Sequence, residues 1–183
     1  FLRSQLEAAL ENASGRQVTI SGPLQVTLRP LPSVTLNQVT IANARWARAP
    51  NMLSVRRLSI RPSLRRLVIG QVVLHKIEIE GAQLWLENSL DGRPSWAMQG
   101  KDQDPGDAPE IRLQSIDVTH LRASYFDAQD GTTRSVSLDR MTLVASQPEV
   151  PVRIAIQGQI MDLPLSISGV IGTPDQIQRG EPF

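Results

Sequence analysis

Residues 74–92 read Leu-His-Lys-Ile-Glu-Ile-Glu-Gly-Ala-Gln-Leu-Trp-Leu-Glu-Asn-Ser-Leu-Asp-Gly: a hexad, a turn containing Gly81, a second apolar-rich strand and an Asp-Gly turn. This is the pattern of one β-hairpin. Within the hexad, Ile77 and Ile79 share a face because side chains alternate along a strand. Leu74 has the opposite parity and joins that face only if the strand enters through a bulge or another irregular step.

The same order of apolar, polar, polar, apolar, polar and apolar residues begins at Leu36, Val55, Leu113 and Leu138. With Leu74 included, the steps between starts are 19, 19, 39 and 25 residues, a loose internal repeat. Asp91-Gly92 and Asp130-Gly131 are also 39 apart, so the repeated object is the hexad together with its closing turn.

Outward from this unit, residues 2–13 carry Leu2, Leu6, Ala9, Leu10 and Ala13 at helical spacing, with Arg3, Glu7 and Glu11 opposite and Gly15 as a stop. This predicts an amphipathic helix that packs on the sheet or plugs one end of it. Val18-Thr19-Ile20 and Leu24 to Leu28 alternate around Gly22-Pro23 and read as a hairpin. Trp46 lies in a loop between Arg45 and Arg48, and its size favours folding back over the core. Pro62 sits where a single helical turn would start. In Leu84-Trp85-Leu86 both faces are apolar, which predicts cover on both sides, with Trp85 toward the opening helix. Further strands are expected over 111–118, 121–126, 136–144, 152–160 and 163–170, and the next strand of the meander is expected to follow Thr173-Pro174 beyond residue 183.

The chain has 183 residues, 40% hydrophobic but only 4% aromatic, which favours a thin Val/Ile/Leu sheet over a thick globule. With no cysteine, disulfides and thiolate metal sites are excluded. Net charge is +1, but residues 12–77 hold ten basic side chains and no acidic one, whereas from Glu78 onward there are eight basic and sixteen acidic. The basic half would attract anionic partners. Nucleic acid is not expected, since only Trp46 is interleaved with the arginines.

No catalytic constellation is legible. His75 and His120 neighbour no serine motif, and phosphate-binding loops and metal-binding helices are missing from the sequence. Glu78 and Glu80 share a strand face beside Lys76 and read as a solvated face. The acidic run at 102–107 lacks calcium-loop spacing. The chain is expected not to be an enzyme and to need no cofactor.

The run Gly22-Pro23-Leu24-Gln25-Val26, then 34–43, 58–67 and 70–87, ending in Asp91-Gly92-Arg93-Pro94-Ser95-Trp96, resembles the amino-terminal region of the AsmA family, as does Pro164 to Gly169. Ser95 stands where Asn is common in the Asp-Gly-x-x-x-Trp ending. The resemblance implies a Gram-negative protein held in the inner membrane by a helix outside this segment, with a periplasmic body of repeating β-groove units. It also implies passage of phospholipid toward the outer membrane, and contact with acyl chains and other envelope proteins.

The expected fold is therefore mostly β: a long curved antiparallel meander forming an open groove, with an amino-terminal amphipathic helix. Residues 1–99 would form the helix and first groove repeat, 100–110 an acidic mobile linker, and 111–183 a second repeat. The expected lining is Val39, Ile41, Leu58, Ile60, Ile77, Ile79, Leu84, Leu86, Ile116, Val118, Met141 and Leu143. Arg45, Arg48, Arg56, Arg57, Arg61, Arg65 and Arg66 are expected to meet phosphate headgroups. The alternative function is a scaffold or chaperone for outer-membrane proteins that pairs its sheet edges with client strands.

Overall fold

The computed structural model describes residues 2–28, 30–63, 72–97, 111–145, 147, 149–174 and 176. The 100–110 linker, Arg65, Arg66 and the helical turn expected after Pro62 fall outside them, Pro62 itself ending a strand. Helix α1 spans Leu2–Ser14 and stops at Gly15, whose φ of 63° continues the chain in the left-handed region. The strands are β1 (Val18–Ile20), β2 (Leu24–Thr27), β3 (Ser33–Ala42), β4 (Asn51–Pro62), β5 (Val72–Asn88), β6 (Ile111–Leu113), β7 (Ser115–Asp127), β8 (Thr132–Val144), β9 (Val152–Ile160) and β10 (Leu163–Ile171). They make one open sheet in the order β1-β3-β4-β5-β7-β8-β9-β10, with β2 also on β3 and β6 also on β5.

Two expectations about turns are corrected. Gly81 does not turn a hairpin: β5 runs straight through it, from the hexad to Leu84-Trp85-Leu86. Gly22-Pro23 does not turn one either, since β1 and β2 both lie antiparallel to β3 and together make one interrupted edge. At Thr173 the N–H and Oγ1 exchange hydrogen bonds with the side chain and N–H of Gln176, a capping box that starts a helical turn at Pro174.

Because β5 is one strand, its connection to the next must cross back, and β5 pairs with β6 and β7 in parallel. The meander is thus antiparallel everywhere except at this junction. Every parallel pair there is 39 residues apart, from Val72↔Ile111 through Ile77↔Ile116 to Asn88↔Asp127. The sequence repeat is the pairing register: equivalent residues of the two repeats lie side by side. His75 Nδ1 and Gln114 Oε1, again 39 apart, are 2.8 Å from each other.

The parity problem of the hexad is resolved in the same way in strand after strand. Pairing skips Gln38 and Arg56 between β3 and β4, Arg56 and Gly81 between β4 and β5, Gly81 and His120 between β5 and β7, and His120 and Asp139 between β7 and β8. Between β8 and β9 the register shifts at Asp139. Gln38 on β3, Gly81 on β5 and His120 on β7 take positive φ of 54°, 67° and 54°. A second irregular step separates Leu74 from Ile77, where the β4–β5 register shifts. At each such line two successive polar residues point outward and the apolar residues on both sides point inward. The outer path is one residue longer, so the strands bend toward the apolar face.

The core lies inside that bend. Leu6 and Leu10 of α1 pack against the fully buried Val18, Ile20, Leu36, Val39, Val55 and Ala82, drawn from both sides of the line. Glu7 and Glu11 are not a solvated face. Their carboxylates accept the N–H groups of Ile20 (2.7 Å) and Val18 (3.0 Å), which caps the outer edge of β1 against pairing with another chain.

Candidate functional site: one apolar face

Cross-strand partners share a face, so the registers sort the sheet into rows. One row is Val34, Ile60, Ile77, Ile116, Leu143 and Ile154, and the next is Leu36, Leu58, Ile79, Val118, Met141, Ile156 and Ile167. Beyond the bend come Val39, Val55, Ala82, Leu121 and Leu138, then Ile41, Leu53, Leu84, Ala123, Val136 and Ile160. Leu86 follows beside Tyr125. All twelve positions singled out from the sequence therefore occupy one face. Positions not singled out continue it onto β9 and β10: Ile154, Ile156, Leu165 and Ile167. Strict alternation in 152–160 and 163–167 was the signal for them.

This face has a closed end and an open end. Helix α1 fills it at the β1 end, where Leu6 and Leu10 pack against the buried cluster; Val39 is only 5% exposed and Ile41, Leu58 and Ile79 pack around the same cluster. Toward β9 and β10 nothing among the described residues covers it: Ile160, Leu163 and Ile167 are 44%, 66% and 46% exposed. Eight strands lie side by side, giving roughly 34 Å across the sheet at ~4.8 Å per step. That is shorter than the separate strands expected from the sequence would give, because β1 and β2 share one edge, residues 74–79 and 84–86 are one strand, β5, and β6 and β7 lie on one line.

The opposite face is polar and carries the arginines. Arg57 stands in a row with Asn37 and Glu80, Arg56 pairs with Glu80 at 2.6 Å, and Arg61 pairs with Glu78 at 3.0 Å. The structure thus does not bring Arg56, Arg57 and Arg61 to the apolar face. It leaves Arg45 and Arg48 in the connection between β3 and β4. Glu78 and Glu80 are consumed in ion pairs, and no cluster of three or more metal-ligating side chains occurs among the described residues.

Trp85 also points to this outer face, away from α1, correcting the expected contact. Its Nε1 donates to Oε1 of Glu87 (2.7 Å), a residue the sequence did not single out and which is 2% exposed. Glu87 also accepts the N–H groups of Arg48 and Ala49, both at 2.9 Å, so the 43–50 connection is clamped over the end of β5. Trp46 within it remains 40% exposed rather than folded away. The Asp-Gly-x-x-x-Trp ending builds the same corner: fully buried Ser95 accepts the Glu87 N–H at Oγ and returns its own N–H to the Glu87 carbonyl (2.7 Å). Arg16 donates to the Ser95 carbonyl and, at 3.2 Å, to that of Ala97.

One charge group bridges the two repeats. Lys76 sits 2.7 Å from Asp117 and 3.0 Å from Glu78, and Thr142 donates to Asp117 at 2.9 Å. The hydrogen bond from Lys76 holds the Asp117 carboxyl below its ordinary value of 3.8, while Asp117, then Glu78, raises Lys76. The folded state therefore binds fewer protons at Asp117 than the unfolded chain. Its stabilisation is present above pH 3.8 and lost as pH falls through the depressed value. Asp117→Asn is expected to cost about 1 kcal/mol at pH 7, and a urea titration series should show the difference from the parent closing below that window.

Residues 2–159 match the sequence profile of the AsmA family. No match is found among curated proteins.

Proposed function

The chain belongs to the AsmA family, an envelope-associated family, and from that membership we propose that it conducts phospholipid along the apolar face. In this reading it is a periplasmic stretch of a protein anchored in the inner membrane elsewhere in its chain; no described helix is long and apolar enough to cross a membrane. The observation that carries it is the continuous row of apolar side chains over β3 to β10, filled by α1 at one end and bare at the other. Such a surface replaces water around an acyl chain, worth about 0.8 kcal/mol per buried methylene. Passage along it needs no catalytic group and no cofactor.

Met141 is the position to test, because it lies on the same row as Ile79 but beyond the reach of α1. Ile79 itself belongs to the packed cluster, so a charge there would unfold the core rather than report on lipid. Native mass spectrometry of the purified chain is expected to show bound phospholipid, and Met141→Arg to reduce it at least tenfold with the fold intact by circular dichroism. Equal lipid in both proteins would remove the conduit reading.

A scaffold for envelope proteins remains the second reading, favoured by one observation: among the described residues β10 has β9 on one side and no strand on the other. Edge pairing uses backbone groups, so Met141→Arg should leave client binding unchanged while proline at the β10 edge abolishes it.

A further inference from the structure

With α1 packed into the β1 end of the apolar face, that end offers no way in. The strand directions place one set of connections on a single rim, because β3, β5, β7 and β9 end there and β4, β8 and β10 begin there. The rim carries residues 43–50, 89–97, 128–131 and 161–162.

Every aromatic side chain among the described residues lies on this rim or in the last residues of a strand that reaches it. Trp46 is in the first connection, Trp85 at the end of β5, Trp96 in the next connection, and Tyr125 and Phe126 at the end of β7. Trp96 meets Tyr125 edge-on at 5.9 Å, and the Arg48 guanidinium stands 4.4 Å over Phe126. Trp46 and Trp96 are each 40% exposed, Leu90 75% and Met161 66%. The opposite rim exposes Leu28, Leu31 and Val150 but no described aromatic.

Charge is divided among the rim's connections: Asp91 and Arg93 lie in 89–97, Asp130 in 128–131 and Asp162 in 161–162. The 43–50 connection holds Arg45 and Arg48 and no acid, and the carboxylate bonded to it, Glu87, is buried. Exposed indole rings beside the arginines of the 43–50 connection and an exposed leucine are the chemistry of the layer between phospholipid headgroups and acyl chains.

We propose that this rim docks on a phospholipid bilayer, with Trp46, Leu90 and Trp96 entering the headgroup–acyl boundary and Arg45 at the phosphates. Lipid is then loaded sideways over the rim rather than through the end that α1 closes. The loading step rests on the conduit reading; the docking does not.

The test uses the 183-residue chain with unilamellar vesicles of phosphatidylethanolamine and phosphatidylglycerol, some brominated on the acyl chain. The parent is expected to float with the vesicles and its tryptophan emission to be quenched by the bromines. Trp46→Asp with Leu90→Asp should lower partitioning at least tenfold, and Leu28→Asp with Leu31→Asp on the other rim should change it less than twofold. No flotation and no quenching of the parent would overturn the proposal without recourse to any variant, as would equal loss in the two double variants. Native mass spectrometry of the same preparations separates the two readings. Lipid in the groove without vesicle binding removes rim docking and leaves the conduit, and vesicle binding with an empty groove does the reverse.

Discussion

Glu87→Ala is expected to destabilise the chain by about 3–5 kcal/mol, a fall in Tm on the order of 10 °C for a domain of this size. The carboxylate is 2% exposed and takes three N–H donors, from Arg48, Ala49 and the Trp85 indole. Alanine leaves all three without an acceptor in a place where water does not readily reach, and each such loss costs about 1–3 kcal/mol. Relaxation of the 43–50 connection recovers part of that, which is why the three losses do not simply add. Glu87→Gln keeps the shape but presents an amide N–H₂ to one of the donors, so about half the loss is expected. Urea unfolding of the two variants beside the parent checks the order. A loss under about 1 kcal/mol for alanine would mean that the connection is held by something other than this carboxylate.

Glu87 also marks where the sequence stops being legible. It reads as one more polar residue of an alternating strand, and only the 43–50 connection, some forty positions earlier in the chain, buries it. The apolar face was readable because alternation is local: Ile77 and Ile79 must point the same way whatever their neighbours do. Leu74 was readable in part, since its wrong parity required an irregular step, and the structure supplies one. Gly81 was misread because a glycine at positive φ serves a hairpin turn and a bend within a strand equally well. The decision belongs to β4 and β7, which pair with β5 on both sides of Gly81 and carry it through as one strand. The 39-residue repeat held the remaining information. It was visible as a period, but a period alone does not distinguish parallel neighbours from a repeated hairpin.

If the bend is what gathers the apolar rows, then closing off its space should cost more than any single apolar contact. Gly158 faces the bulge at Asp139, and a Cβ there would fall 2.2 Å from the Ser137 carbonyl oxygen and 2.8 Å from the Leu138 Cα. Both are backbone atoms of the adjoining strand and cannot rotate aside. Gly158→Ala is therefore expected to cost about 3–4 kcal/mol, at the upper end for an overpacked site. Gly169, one strand further on, would place its Cβ within 4 Å of nothing. Gly169→Ala should be neutral to about 0.5 kcal/mol stabilising, because alanine restricts the unfolded chain and meets no obstacle in the folded one. Thermal unfolding of the pair isolates the close approach from the general preference of strands for a side chain. Should the two melt together, β8 and β9 do not approach as closely as the bend demands. If they separate as expected, Gly158→Ala also has a consequence for cargo: prying β9 from β8 parts Met141 from Ile156, the two rows flatten, and bound lipid should fall with stability even though no lining residue has changed.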